Sequence, residues 1–221
     1  MRCATMTAMR IDHVSYAAEP DGMRATAERL AQRLGVQAFD GGVHPRFGTR
    51  NMILPLAEER YLEVVEVLDH PASDKAPFGQ AVRARSAQGG GWLAWVVRVD
   101  DLAPIEERLG RPAVSGNRTT PEGVELTWRQ IGIKGTMADP QLPFFVKWDD
   151  TTHHPSTLAG TRTRLEGLQL HGDLERIREW LGLQPGSDSG WEADVRFEIV
   201  AAEPPALDHV VFDTPEGAVT V

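Results

Sequence analysis

Apolar residues recur at helical spacing in three places along the chain. Met23, Ala27, Leu30, Ala31 and Leu34 stand at i, i+4, i+7, i+8 and i+11, one stripe on one helix face. Leu102, Ile105 and Leu109 repeat the pattern, as do Leu174, Ile177 and Leu181 with Trp180 beside them. An aspartate precedes each stripe (Asp21, Asp101 and Asp173), placed to accept the first free N–H groups of a helix. Each stripe closes on Leu-Gly at Gly35, Gly110 and Gly182, where glycine takes the left-handed turn that ends a helix. The closing glycines are 110 − 35 = 75 and 182 − 110 = 72 residues apart, which predicts an internal repeat.

Strand-like runs fill the gaps. They are Ile11 to Ala17, Asn51 to Leu56 and Tyr61 to Val67 around the first helix, then Trp92 to Val99, Val124 to Ile133 and Pro143 to Trp148 around the second. Leu165 to Leu170, Val195 to Ala201, Leu207 to Phe212 and Ala218 to Val221 surround the third. The prediction is an α+β chain of βαβββ units: a tail at 1–9, a first unit at 10–69, a linker at 70–91 and a second unit at 92–148. A second linker at 149–163 and a third, shorter unit at 164–221 complete it. Met6 and Met9 offer alternative starts to Met1.

Composition narrows the partners. With 23 Lys+Arg against 32 Asp+Glu the net charge is −9, and no basic run offsets it, so neither nucleic acid nor a membrane surface is expected. No apolar stretch has the length of a signal peptide or a membrane span. The single cysteine, Cys3, forms no internal disulfide, which suits the reducing cytoplasm. A P-loop, G-x-S-x-G, G-x-G-x-x-G and H-E-x-x-H are all missing from the sequence.

The order Ile11-Asp12-His13-Val14, then Gly41-Gly42-Val43-His44-Pro45, then Tyr61-Leu62-Glu63-Val64 resembles the vicinal oxygen chelate superfamily, and its glyoxalase-like members most closely. The resemblance implies paired βαβββ units whose curved mixed sheets, flanked by helices, form a cup for a small molecule, as in glyoxalase and bleomycin-resistance proteins. It also implies a divalent metal (Zn, Fe, Mn or Ni), for which the first unit supplies His13 and Glu63. Strand alternation supports those two positions, putting His13 with Ser15 and Glu63 with Tyr61 on one face each, with Val14, Leu62 and Val64 under the helix.

The second unit departs from that pattern. Residues 91–99 read GWLAWVVRV, and Pro143 to Trp148 carries Lys147 but no carboxylate, so the usual ligand set is halved. Two protein ligands rarely hold zinc. His44, in the glycine-rich segment, is the candidate third ligand; His153 and His154 read as exposed, and His209 as a chance copy of the opening motif. Trp92, Trp128, Phe145 and Trp148 are candidate ligand-binding rings, and Arg46 and Arg50 candidate holders of an anion. Two functions follow. One is a metal-dependent lyase, isomerase or dioxygenase with Glu63 as its catalytic carboxylate; the other is a metal-free binding or sequestering module of the bleomycin-resistance type. The odd third unit leaves room for a homodimer.

Overall fold

The structure is a computed structural model that describes residues 9–184 and 195–221. Cys3 and most of the expected tail therefore lie outside the described residues, although Met9 already opens the first strand.

Eight strands close a barrel. The first half contributes β1 (Met9–Ala17), β2 (Phe39–His44), β3 (Thr49–Leu56) and β4 (Arg60–Val67); the second contributes β5 (Gly91–Val99), β6 (Val114–Thr119), β7 (Glu125–Ile131) and β8 (Phe144–Trp148). Around the barrel they run β1-β4-β3-β2-β6-β7-β8-β5. Each half is the same motif: its first strand lies parallel to its last, His13 opposite Tyr61 in one and Val96 opposite Phe144 in the other. The halves join along β1 and β5 over most of their length, and at β2 and β6 through the single pair Val43 and Thr119. Gly42 sits at that thin seam with φ +97°, and a Cβ there would lie 1.9 Å from the Thr119 carbonyl oxygen, so only glycine lets the strands meet.

Helix α1 (Met23–Leu34) buries every residue of its predicted stripe against Val14, Leu54, Leu62 and Val64 on the outer barrel wall. Gly35, Gly110 and Gly182 close their helices left-handed, as the Leu-Gly endings predict. Asp173 caps its helix through the N–H groups of Glu175 and Arg176, and Asp101 accepts from Ala103. Asp21 does not cap: it is drawn off by Arg29, and Glu66 accepts the Met23 N–H instead.

The segment 70–91 is more than a tether. It carries α2 (Pro71–Lys75) and α3 (Pro77–Ala87), and Phe78 and Val82 of α3 are buried against the barrel. A short α4 (Ala103–Leu109) follows β5, and α5 (Ile133–Ala138) follows β7. The glycine-rich segment that holds His44 is mostly β2, with the turn confined to 45–48.

The last stretch forms a second sheet from β9 (Arg164–His171), β10 (Arg196–Val200), β11 (Ala206–Thr214) and β12 (Gly217–Thr220), with α6 (Leu174–Leu181) between β9 and β10. Its strand order is β10-β9-β11-β12, so its first strand lies parallel to its second rather than to its last. This sheet packs on the outside of the barrel through rings: Trp95 on Phe197 at 5.4 Å and Trp92 on Phe212 at 6.4 Å between centroids. Phe145 stacks on Trp180 of α6 at 6.5 Å.

Candidate functional site

Alternation along β1 and β4 turns His13, Ser15, Tyr61 and Glu63 into the barrel, all of them buried. Strand β1 also carries a bulge, because the pairing with β5 steps from Ile11–Val97 to His13–Val96 and leaves Asp12 as the extra residue. The Asp12 carboxylate, fully buried, accepts from His13 Nδ1 at 2.9 Å beside it. His154 Nε2 reaches the same carboxylate at 3.1 Å and Trp148 Nε1 at 3.2 Å. The Ser156 N–H donates to His154 Nδ1, so the ring hydrogen of His154 is on Nε2, facing Asp12. Burial pushes the Asp12 carboxyl up, but the bonds from His13 and His154 outweigh it and hold the group well below the usual carboxylate range.

His13 Nε2 faces Glu63 Oε2 at 3.9 Å, and His44 Nε2 faces Glu63 Oε1 at the same distance. Glu63 is tied down between them: Ser15 Oγ donates to one oxygen at 2.8 Å and Asn51 Nδ2 to the other at 2.7 Å. Burial again works to raise the carboxyl, while the His13 and His44 rings and these two donors lower it on balance. His44 bonds Thr49 Oγ1 through Nδ1 at 3.0 Å, and burial pushes its pKa down to about 4, so it is neutral near pH 7. The Tyr61 ring stacks on His13 at 4.4 Å.

The other half of the cavity is largely apolar, apart from Arg118 and from Gln130, whose Oε1 accepts from Trp128 Nε1 at 2.7 Å. By register, the places of His13, Tyr61, Glu63 and Asn51 in the first half are taken by Val96, Phe144, Val146 and Trp128 in the second. Trp128, Phe144, Val146 and Trp148 line the space opposite Glu63, together with Phe47 and Phe78. Arg118 of β6 enters from the seam between the halves, 3% exposed. The free volume is about 30 Å³, room for a water or two. Phe78 and Phe144 separate this cavity from an apolar groove of about 560 Å³ on the outer side.

The structure thus gathers His13, His44, Glu63, Trp128 and Trp148 around one space, and leaves four other candidates outside it. Trp92 and Phe145 face the second sheet. Arg46 is exposed and Arg50 pairs with Glu66 on the surface. Lys147 points away from the cavity, into a polar cleft with Glu59 and Arg98. His154 corrects the expectation of exposure: it is 2% exposed, because the 3-10 turn Pro155–Leu158 tucks it under Trp148. His209 is indeed peripheral, paired with Asp208. Asp12, Asn51 and Arg118 escape a reading of the sequence; the Arg-bearing strand is short and polar, with no periodic signal.

The donor set decides how well a metal fits. Ligands about 2.0–2.1 Å from a tetrahedral zinc stand roughly 3.3 Å apart, closer than the 3.9 Å seen here. Both Glu63 oxygens are already hydrogen-bonded, the Arg118 cation shares the space, and the second half offers valines and Gln130, whose Oε1 is taken by Trp128 Nε1. Among the described residues no three His, Cys, Asp or Glu side chains are gathered to hold an ion. The four-ligand centre implied by the resemblance does not fit these residues.

Comparison with known proteins agrees with the topology. The glyoxalase-like domain family matches residues 11–183. No curated protein matches the chain. Among solved structures, the chain is similar to a hypothetical protein from Staphylococcus aureus, with TM-score 0.71 and 14% identity over 92% of this chain and 90% of that one; this likeness is one of fold. Methylmalonyl-CoA epimerase from Mycobacterium tuberculosis also aligns, with TM-score 0.41 and 15% identity over 62% of this chain and 85% of that one. No helix among the described residues is long and apolar enough to cross a membrane.

Proposed function

The chain belongs to the glyoxalase-like domain family of the vicinal oxygen chelate superfamily, and we propose that it is a small-molecule enzyme of the lyase or isomerase kind, working by proton transfer at His13 inside the barrel. The observation that supports this reading is the line Asp12–His13–Glu63. Asp12 holds Nδ1 at 2.9 Å, which fixes the ring hydrogen there and leaves Nε2 to face the cavity. The 3.9 Å to Glu63 is too long for a direct hydrogen bond, so Nε2 is not engaged by that carboxylate and is open to a proton from the cavity side. His13 then takes a proton from the substrate and returns it, with the imidazolium flanked by two ionised carboxylates. The aromatic wall of Trp128, Phe144 and Trp148 excludes water and binds the apolar part of the substrate. The single cysteine of the sequence is compatible with a reducing compartment such as the cytoplasm, which supports that setting for the reaction.

A second reading has one observation of its own. Asp12 and Thr49 hold the Nδ1 atoms of His13 and His44, leaving both Nε2 atoms turned to Glu63, the way outer groups orient histidine ligands. A cation of the Zn, Fe, Mn or Ni type drawing these three side chains together would act as a Lewis acid, and a dioxygenase would then join the lyase and isomerase alternatives.

Exchange of carbon-bound hydrogen from small carbonyl compounds in heavy water, followed by NMR, tests both. Wild type is expected to catalyse exchange that survives a chelator, and His13→Gln and Glu63→Gln to lose about 10²–10⁴-fold of the rate. Exchange abolished by the chelator and restored by one of those metals would shift the assignment to the second reading. Tight binding with no exchange of any compound would leave a sequestering module of the bleomycin-resistance type.

A further inference from the structure

Arg118 is a buried cation of the cavity that proton transfer at His13 does not use. Its guanidinium is 3% exposed and lines the cavity. Among the described residues its one hydrogen bond is a long contact of 3.5 Å from Nη1 to Asn51 Oδ1, and Nε is buried with no partner. It forms no ion pair with any described carboxylate. Glu63, the anion that shares the space, has both oxygens committed to Ser15 and Asn51. Glu63 attracts the cation across the cavity without bonding it. A water or two can satisfy free N–H groups but cannot pair with the charge, and a buried cation with no directly bonded anion is costly. The fold also makes room for it. A Cβ on Gly41 would meet Asn51 Oδ1 at 2.1 Å and Arg118 Nη1 at 2.8 Å, so the glycine lets this charge approach the amide.

We propose that Arg118 receives the carboxylate of the cavity's ligand, so that the substrate class is a small monocarboxylate whose apolar body lies against Trp128, Phe144 and Val146. This inference rests on the preceding one in placing the ligand inside the barrel. A carboxylate matches the planar fork of the guanidinium with two parallel bonds. A phosphate dianion matches less well, since one buried arginine leaves its second charge beside the ionised Glu63.

Melting temperature and Trp fluorescence, with Trp128 and Trp148 in the wall as reporters, test the assignment. The probes are formate and acetate, whose size suits a space that holds a water or two, each set against its neutral amide, with inorganic phosphate as a separate arm. The acids are expected to raise the melting temperature of wild type and the amides and phosphate not to. Arg118→Met is expected to weaken acid binding by about ten- to a hundredfold, and to melt no lower than wild type in the absence of ligand. Arg118→Lys, which keeps the charge but loses the fork, should fall between, and it carries the comparison if the Met variant fails to fold. His13→Gln should bind the acids as wild type does while losing exchange, which separates failure of this inference from failure of the proton-transfer reading. Equal binding of acid and amide, full acid binding by Arg118→Met, an equal response to phosphate, or no response of wild type to any acid would overturn it.

Discussion

Replacing Asp12 by alanine is expected to lower the unfolding free energy by about 3–5 kcal/mol, the usual cost of removing one partner from a buried ionic cluster. For a chain of this size that corresponds to a fall in melting temperature of roughly 6–20 °C. Asp12 is fully buried and accepts from three rings, so its loss strands His13 Nδ1, His154 Nε2 and Trp148 Nε1 at once. Those rings belong to different parts of the chain: the first strand, the turn after the barrel, and its eighth strand. The carboxylate therefore ties that turn to the barrel as well as orienting His13. Asp12→Asn keeps the shape and one acceptor and should cost less than Asp12→Ala. Urea unfolding of both variants at pH 7 measures the difference. An alanine variant within about 0.5 kcal/mol of wild type, the range of ordinary surface substitutions, would show that the cluster contributes no stability.

Acid is expected to destabilise the protein well before its carboxylates titrate, and His44 is the reason. Burial pushes its folded pKa down to about 4, whereas the unfolded chain binds that proton near 6.5. Between these values the unfolded state holds a proton that the folded state excludes, so stability falls as pH drops through the window. The loss from this one group between pH 7 and pH 4 is about 3 kcal/mol. Asp12 and Glu63 have the same sign but a lower window: their folded pKa values lie below their ordinary ones, so their contribution is present at neutral pH and is lost in stronger acid. His44→Asn retains a donor for Thr49 but does not titrate, and its urea midpoint should stay much flatter than that of wild type from pH 6.5 to 4.5. Parallel curves for the two proteins across that range would remove His44 as the source.

The periodicity of the chain shows how far local patterning reaches. The stripe from Met23 to Leu34, the Leu-Gly endings and the alternation that pairs His13 with Ser15 and Glu63 with Tyr61 are all local, and the structure carries each of them. A three-residue stripe such as Leu102, Ile105 and Leu109 suffices because it needs only one face to bury. The sheared pattern of Asp12 lies beyond such reasoning: a bulge is a mismatch between two strands, and alternation in one strand assigns Asp12 to the opposite face from His13.

Rings and cations were harder to read for a different reason. In β5 and β8 both faces are apolar, one turned into the barrel and one toward the second sheet, so the pattern does not say which of Phe144 and Phe145 lines the cavity. Trp92 and Phe145 went outward because a second sheet exists to cover them. What the chain determined by itself was the stripe of the first helix and the faces that group His13 with Ser15 and Glu63 with Tyr61, since these follow from the fixed repeat of helix and strand. The pairing of His13 with Glu63 came with the family resemblance, and Leu174 of the third stripe is exposed. Closure of the barrel decided the rest. It brought Arg118 to the seam, folded His154 back onto Asp12 and set four apolar side chains against the polar half, and such contacts depend on which distant strands become neighbours.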